Sequence, residues 1–388
     1  MAIRNRFAEL HDEIAGWRQD LHRHPELLFD THRTSAFVAE KLREFGCDEV
    51  VGGIGRTGVV GIVHGRTRLS GRVVGLRADM DALPITETSG VSHASVEPGK
   101  MHACGHDGHT SMLLGATKYL AETRNFDGTA AVIFQPAEEG GGGGREMVED
   151  GLMERFGVQE VYGMHNMPGL PAGEFAIRSG PFLAAADTVA IRVEGLGGHA
   201  ARPHVAVDTT VVACHIVIAL QTIASRHVDP LEPVVVSITS FRTGSETYNV
   251  IPGTVELMGT IRTMNEDVRI DVRKRIEEIA SSTAAAFGAR AFVEIEDGYP
   301  VMVNSETETQ HAAKAAERVA GTVNRDAAKL MGAEDFSFML NERPGAYILI
   351  GNGDTAPVHN SHYDFNDEAI PSGCSWWVEV AESRLSAD

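Results

Sequence analysis

Apolar and polar residues alternate in two different rhythms along the chain. In residues 1–182, short β-branched runs such as 59–63 and 73–76 are separated by stretches whose apolar residues recur at helical spacing, such as 7–21. Short apolar runs of this kind are typical of strands that are buried on both faces. The pattern predicts an α/β domain in which helices flank a sheet.

The rhythm changes between residues 183 and 297. The segments in this region follow the order strand, helix, strand, strand, helix, strand: 188–194, 207–226, 234–240, 255–262, 268–287 and 292–296. This is the order of a ferredoxin-like unit. We therefore predict an α+β domain at 183–297, inserted into an outer α/β domain made of 1–182 and 298–388.

The composition argues against some classes of function. The 388 residues include 34 Lys and Arg against 54 Asp and Glu, a formal net charge of −20. Nucleic acids and anionic membranes bind basic surfaces, so neither is an expected partner.

The apolar stretch 211–220 is shorter than the roughly 18 residues of a membrane span. The N-terminal arginines precede no apolar run, so we predict no signal peptide. Four cysteines without regular spacing favour a reducing, cytoplasmic compartment.

The densest cluster of ligand-type side chains is MHACGHDGH at 101–109, directly before a predicted helix. Cys104, His106 and His109 offer the sulfur and imidazole donors that zinc-class metals accept. Two other interpretations stay open on these residues alone. One is a cysteine nucleophile with a histidine base, and the other is a helix N-terminus with incidental histidines.

Two adjacent carboxylates, Glu138 and Glu139, follow a predicted strand in the segment FQPAEEG. Open α/β sheets bind ligands at this edge of their strands. Neighbouring carboxylates point in different directions, so one can ligate a metal while the other holds a water as general base. A solvated acidic loop is the alternative.

Further polar residues stand at other strand ends and loops. His165 follows a predicted strand, and His359 and His362 lie in a loop near the C-terminus. Each is a weak signal singly, but with the Cys/His and Glu segments they supply the donors of a two-metal hydrolytic site. Asp81, where another strand ends, has the chemistry to orient a ligand histidine.

The inserted domain carries its own candidates. His199, in GGHAARPH after a strand, has the donor to stabilise an oxyanion. The fork of Arg262 suits a substrate carboxylate, and Asn249 is a polar group beside a strand. A simple turn and surface salt bridges are the alternatives for these positions.

The motifs, taken in order, resemble those of the M20 metallopeptidase family and its aminoacylase and hippurate-hydrolase-like amidohydrolase branch. They are GLRADMDALP, MHACGHDGHTSMLLGA, FQPAEEG, GMHN, GGHAARPH, NVIPG, GTIRT, GAEDFS and HNSHYDFND. The resemblance implies a zinc-exopeptidase-like catalytic domain with a mixed sheet flanked by helices. It also implies two divalent metal ions (Mn, Zn, Co or Ni) and a homodimer, or an oligomer built from dimers, formed through the inserted lid domain.

Residue roles follow from the resemblance alone. It makes Cys104 the ligand that bridges both metals, with His106 and His165 on one metal and Glu139 and His362 on the other. Glu138 becomes the general base and Asp81 a residue that orients a ligand. In the lid, His199, Asn249 and Arg262 become contacts of the oxyanion and the substrate carboxylate, with His199 supplied by the partner subunit in many relatives.

The implied reaction is hydrolysis of the amide bond of a small-molecule N-acyl amino acid, of the hippurate or N-acetyl type, to a carboxylic acid and an amino acid. Two other reactions of the same family compete with it, dipeptide or carboxypeptide cleavage and N-carbamoyl hydrolysis. From another class, a catalytically silent metal- or ligand-binding protein is the alternative.

Overall fold

The computed structural model describes residues 2–386. The helices are α1 Ala2–Glu9, α2 His11–Arg23, α3 His32–Glu44, α4 His106–Thr123, α5 Gly143–Glu149, α6 Leu152–Arg155, α7 Thr209–Leu220, α8 Glu266–Ala286, α9 Glu306–Ala320, α10 Phe336–Glu342 and α11 Ile370–Arg384. The strands are β1 Glu49–Ile54, β2 Gly58–His64, β3 Val73–Asp79, β4 Thr129–Gln135, β5 Glu160–Pro168, β6 Phe175–Ala176, β7 Gly180–Leu183, β8 Ala185–Glu194, β9 Gly198–His199, β10 Val234–Thr243, β11 Val250–Ile251, β12 Thr254–Thr263, β13 Arg290–Tyr299, β14 Met302–Asn304 and β15 Gly345–Gly353.

The chain forms two compact units. The second unit comprises Pro181–Met302 and Lys329–Glu334, and the first comprises the rest of the described chain. The segment Lys329–Glu334 is absent from the predicted inserted domain at 183–297, because its short apolar stretch carries no periodicity that ties it to either unit.

The first unit contains a mixed sheet flanked by helices, which confirms the predicted fold class. Its strand order is β1-β2-β4-β3-β5-β15-β6. The four inner strands β4, β3, β5 and β15 are parallel to one another, while β1, β2 and β6 pair antiparallel. Strand β4 is buried at every position, as expected for a strand covered on both faces.

Two predicted helices of this unit are each interrupted. The helical stretch predicted at 7–21 divides at Leu10 into α1 and α2. The apolar spacing also predicts a helix at 145–154, and this one divides into α5 and α6, because Gly151 adopts a left-handed conformation with φ 81°. A left-handed residue ends the run of helical hydrogen bonds, and glycine adopts it without steric cost.

The second unit is a four-stranded antiparallel sheet of order β10-β12-β8-β13. Its elements follow the chain as β8, α7, β10, β12, α8 and β13, which is the predicted ferredoxin-like order. The buried residues Val272, Ile276 and Ile279 of α8 pack with the buried residues of β8 and β12. One helical segment, Thr209–His227, has the length and mean hydropathy of a membrane span. Its buried residues belong to this core.

Candidate metal centre and active site

Four parallel strands bring candidate ligands to one edge of the sheet. Asp81 follows β3, Glu138 and Glu139 follow β4, His165 lies near the end of β5, and His359 follows β15. The carboxyl ends of parallel strands lie at the same edge, where open α/β sheets bind ligands. The sheet topology therefore collects residues that are far apart in the sequence.

Cys104 and His106 enter this edge from a tight turn that begins α4. The residue between them, Gly105, has φ 87°, which favours glycine. A Cβ at this position would clash with Nδ2 of Asn166 and with the hydroxyl of Tyr363. Glycine is therefore required at this position for conformation and for space, and it lets two ligand side chains converge.

The first ligand group consists of Cys104, His106 and His165, whose ligand atoms all lie within 4.8 Å of one another. Nδ1 of His106 is 2.8 Å from the carbonyl oxygen of Asp81, and Nδ1 of His165 is 2.6 Å from that of Asn166. A carbonyl only accepts hydrogen bonds, so both Nδ1 atoms carry a proton, and the two Nε2 atoms are the ring nitrogens left to face a metal.

These Nε2 atoms have the surroundings expected of metal ligands. Nε2 of His106 is buried and has no hydrogen-bond partner within residues 2–386, and Nε2 of His165 lies 3.4 Å from Sγ of Cys104. A buried acceptor without a partner is costly, whereas a histidine that ligates a metal usually donates its other N–H to a carbonyl or carboxylate. The donors present therefore fit a zinc-class cation.

The second ligand group consists of Cys104, Glu139 and His359, again with ligand atoms within 4.8 Å. Nε2 of His359 lies 3.2 Å from Oε1 of Glu139. Cys104 belongs to both groups, so its sulfur lies within 4.8 Å of two imidazole nitrogens in one group and of a carboxylate oxygen and an imidazole nitrogen in the other. This is the donor arrangement that a dinuclear site requires.

One of the expected ligands, His362, is not brought to either group, which corrects the ligand set that the motifs imply. Its side chain is exposed, with Nδ1 3.3 Å from the hydroxyl oxygens of Thr88 and Ser361. His359 stands in the group instead, because its backbone N–H donates to the carbonyl of Ala103 at 2.7 Å. That bond anchors His359 beside Cys104.

Asp81 organises the carboxylate segment as well as a histidine. Its Oδ1 accepts from the backbone N–H of Glu138 at 2.9 Å, and its Oδ2 accepts from that of Glu139 at 3.1 Å. The hydrogen bond to His106 is made by the backbone carbonyl of Asp81, whose carboxylate lies farther from that ring at 3.5 Å. One residue thus sets the positions of three groups at the site.

Glu138 lies at the centre of the carboxylate segment. Its carboxylate oxygen is within 4.8 Å of both a ring nitrogen of His106 and an oxygen of Glu139. The side chain is 8% exposed, so it stands close to the ligands and away from bulk water. This is the position that a general base needs if it is to act on a water held at the ligand group.

The charges around Cys104 bear on the two chemistries that the sequence leaves open. Burial raises the pKa of the Cys104 thiol, and the neighbouring Glu139 raises it further. Burial also lowers the pKa of His165 to about 3, so this imidazole is neutral. Nucleophilic cysteines have lowered pKa values, whereas a coordinated thiol is deprotonated by the metal itself. The environment favours a ligand over a nucleophile.

Several buried residues that support the ligands were not predicted. His109, a predicted donor, instead places Nδ1 2.7 Å from Asp79 and accepts from the backbone N–H of Asn166 through Nε2 at 2.9 Å. Asp79 also accepts from Arg77 at 2.8 Å. Asp79 and Asn166 lie inside the motifs GLRADMDALP and GMHN, but hydrogen-bonding roles leave no spacing pattern from which to infer them.

The three lid candidates lie in the second unit, at two ends of its sheet. His199 pairs with Val250 in the short ladder of β9 and β11, and the carbonyl of Asn249 accepts from Ala200. Arg262 is half-buried near the other end of β12 and donates to the carbonyl of Ile261 at 3.0 Å. The fold brings His199 and Asn249 together and keeps Arg262 apart from them.

Comparison with known proteins identifies the family. A model described as peptidase family M20/M25/M40 matches residues 75–383, which is most of the chain. The chain belongs to the M20 peptidase family. This membership confirms the resemblance found in the motifs, and the matched region includes every segment that builds this M20 site.

Curated M20 relatives resemble this chain over most or nearly all of its length. A hippurate hydrolase of Campylobacter jejuni is 38% identical over 97% of this chain and 98% of its own. A thermostable carboxypeptidase 2 of Saccharolobus solfataricus is 39% identical over 96% of this chain and 95% of its own. An N-acyl-L-amino acid amidohydrolase of Geobacillus stearothermophilus is 43% identical over 78% of this chain and 81% of its own.

A solved M20 structure shares the fold. It is a dinuclear metal-binding peptidase of Bacillus subtilis, 32% identical, with a TM-score of 0.86 over 97% of this chain and 99% of the other. The described backbone is therefore an M20 architecture, and divalent metal binding is a property that this family match supports.

Proposed function

We propose that this M20 member hydrolyses the amide bond of N-acyl amino acids, of the hippurate or N-acetyl type, to a carboxylic acid and a free amino acid. The observation that carries the proposal is the double membership of Cys104 in two ligand groups, with Glu138 beside them. The hippurate hydrolase and the N-acyl-L-amino acid amidohydrolase among the relatives support this choice of substrate class.

Five side chains of the protein would hold two divalent cations. Cys104 is shared, His106 and His165 complete one set, and Glu139 and His359 complete the other. Bound cations of this kind supply Lewis acidity toward a carbonyl oxygen and lower the pKa of a water. Mn, Zn, Co and Ni all accept such mixed donors, so elemental analysis has to identify the metal.

Glu138 is the proposed general base. Its carboxylate takes the proton from the attacking water and later returns it to the amine that leaves. Asp81 holds the backbone of Glu138 and Glu139 through two hydrogen bonds. The position of the base is therefore fixed by a buried carboxylate rather than by a mobile loop.

The lid residues support a proposed homodimer. Thr254 and Arg262 are eight positions apart on β12, and Thr254 pairs with Glu194 next to the segment of His199. Eight residues of a strand span about 27 Å. One small substrate does not reach both ends of a lid, so we propose that His199 and Asn249 serve the site of a second copy, while Arg262 serves that of its own.

The proposed compartment is the cytoplasm. All four cysteines, Cys47, Cys104, Cys214 and Cys374, are free thiols. A site built on a shared thiolate needs a reducing environment, since oxidation of Cys104 would remove the bridge.

Two other reactions compete with the proposed one. The carboxypeptidase among the relatives favours a peptide substrate as the second candidate, and N-carbamoyl amino acids are the third. All three substrates present a scissile C–N bond beside a free carboxylate, so the same site residues serve each of them. The candidates differ in the acyl group and in the amino acid that leaves. A panel of substrates that varies both groups measures which ones the enzyme accepts.

The deciding experiment measures release of free amino acid from hippurate, N-acetyl amino acids, N-carbamoyl amino acids and dipeptides by metal-loaded protein. We expect the highest kcat/KM on an N-acyl substrate, and a chelator should abolish it. Release from dipeptides alone would overturn the substrate class. Two bound metals without release from any substrate would favour a binding role.

A further inference from the structure

A second cluster of buried charged side chains lies near the ligand groups and supplies none of the five proposed ligands. Arg18 and His22 stand four residues apart on α2, and both are at most 1% exposed. They face Asp107 in the first turn of α4 and the carboxylates of Asp364 and Asp367. Replacing buried ion pairs by apolar groups is often neutral or stabilising, so stability alone does not explain this cluster.

Arg18 connects two parts of the chain through its guanidinium. Nη1 donates to Oδ1 of Asp364 at 2.9 Å and lies 3.6 Å from Oδ2 of Asp107. Nε and Nη2 donate to the two oxygens of Asp367 at 2.8 and 3.0 Å. The first turn of α4 and the segment at 364–367 are thus joined by one rigid, planar group.

The carboxylates that Arg18 joins belong to two ligand-bearing segments. Asp107 directly follows His106, and Asp364 lies five residues after His359. Because the donors of a guanidinium have fixed directions, Arg18 sets the distance between these segments more precisely than a flexible ammonium group would.

Two histidines also contact the carboxylates of Asp107 and Asp364. Nδ1 of His22 lies 2.8 Å from Oδ2 of Asp107, and Nε2 of His93 lies 3.0 Å from Oδ1 of Asp364. Asp107 and Asp364 therefore each have a second partner besides Arg18. Such a network holds one geometry strongly, because moving either carboxylate breaks more than one contact.

We propose that Arg18 is a positioning residue of the metal centre. By bridging Asp107 and Asp364 it fixes the separation between Cys104 and His359, which belong to the same ligand group. The inference rests on the proposed dinuclear function. Groups that orient metal ligands typically change metal affinity 10–100-fold when they are removed. We expect a loss of this size for the cation that Cys104, Glu139 and His359 would hold.

The test compares Arg18→Lys with Arg269→Lys. Lysine keeps the charge at position 18 and removes the planar fork. Arg269 is a matched control, because it is also buried and donates to both oxygens of one carboxylate, Asp187, at 2.9 and 2.5 Å in the second unit. Metal-free proteins are titrated with Co²⁺ in competition with a chelator, and the thiolate-to-cobalt absorption band is recorded.

Wild-type protein has to bind two Co²⁺ per chain, and failure at this step refutes the proposed function rather than the role of Arg18. With two ions bound by wild type, we expect Arg18→Lys to keep its affinity for one Co²⁺ and to bind the other 10–100-fold more weakly. The thiolate-to-cobalt absorption band should shift as well. Arg269→Lys should titrate like wild type. Equal affinities in Arg18→Lys and wild type would overturn the inference.

A second variant covers the case in which Arg18→Lys does not fold. Asp364→Asn removes one charge at a side chain that is 28% exposed, and it weakens the contacts of this carboxylate with Arg18 and His93 while it leaves Asp107 unchanged. This variant should fold, and its affinity for the same cation should be lower than that of wild type. Unchanged affinity for both ions in Asp364→Asn would contradict the proposed bridge equally.

Discussion

The side-chain amide of Asn166 donates a hydrogen bond to the backbone carbonyl of Cys104 at 2.6 Å. Its oxygen accepts from the hydroxyl of Tyr363 at 2.8 Å, and its own backbone directly follows His165. One buried amide therefore connects three segments that carry proposed ligands. Neither Asn166 nor Tyr363 needs to touch a metal to control where the ligands stand.

Asn166→Ala should weaken metal binding about 10–100-fold, because the amide holds the turn that carries Cys104. The control is Asn304→Ala, which removes an equally buried amide that bonds the backbone of Arg178 and Tyr347 away from the site. Both variants should lose about 1–3 kcal/mol of unfolding free energy. Chelator competition measures the affinities, and equal metal affinity in the two variants would argue against the role of Asn166.

His359→Ala and His362→Ala form a matched pair that decides the fifth ligand. We expect His359→Ala to retain one metal per chain, because its ring belongs to the group with Cys104 and Glu139. His362→Ala should retain two, since its ring is exposed and lies beside the hydroxyl groups of Thr88 and Ser361. Elemental analysis after gel filtration gives the stoichiometry. The reverse result would return the ligand role to His362.

Glu138→Gln should lower kcat about 10²–10⁴-fold while metal content stays unchanged, because the amide cannot accept the proton of the attacking water. Glu149→Gln, at an exposed position of α5, serves as the control for loss of a glutamate nearby. Hydrolysis is followed by release of free amino acid. Loss of metal in Glu138→Gln would identify Glu138 as a ligand instead of the base.

His199→Ala and Arg262→Ala should each be inactive alone and regain activity on mixing with subunit exchange. In a mixed dimer one site combines an intact Arg262 with an intact His199 from the other copy. Random exchange makes about a quarter of all sites complete. Activity that never rises above the separate variants would show that both residues act from one chain, or that no dimer forms.

Glu382→Gln should stabilise the protein at alkaline pH and have little effect at pH 5. Burial and, to a smaller extent, the neighbouring Glu379 raise the pKa of Glu382 to about 7. An acid with a raised folded-state pKa destabilises the fold as pH rises from about 4.5, and the cost is complete above pH 7. With solvent screening we expect about 1–2 kcal/mol.

Thermal unfolding of Glu382→Gln at pH 5 and pH 8.5 checks the sign. Glu49→Gln, an exposed position on β1, controls for the loss of one negative charge. A larger stabilisation at pH 5 than at pH 8.5 would contradict the raised pKa of Glu382.

The sequence by itself determined the elements and the kind of chemistry. The strands at 59–63 and 73–76 and the ferredoxin-like order of the insertion follow from local periodicity, which depends only on which face of each segment is buried. Cys104 and His106 stand in one dense cluster and Glu138 and Glu139 in another, so their types and spacing indicated a metal site, whereas His165 joined the ligand set through the resemblance to the M20 family.

Only the tertiary structure decided between residues that look alike locally. His359 and His362 lie three residues apart in one loop, and nothing in their spacing selects either. His359 belongs to the ligand group because its backbone bonds Ala103, a residue distant in sequence. The supporting roles of Asn166 and Arg18 have the same origin: they depend on hydrogen bonds between segments that meet only after the sheet has formed, and such contacts leave no periodic pattern in the chain.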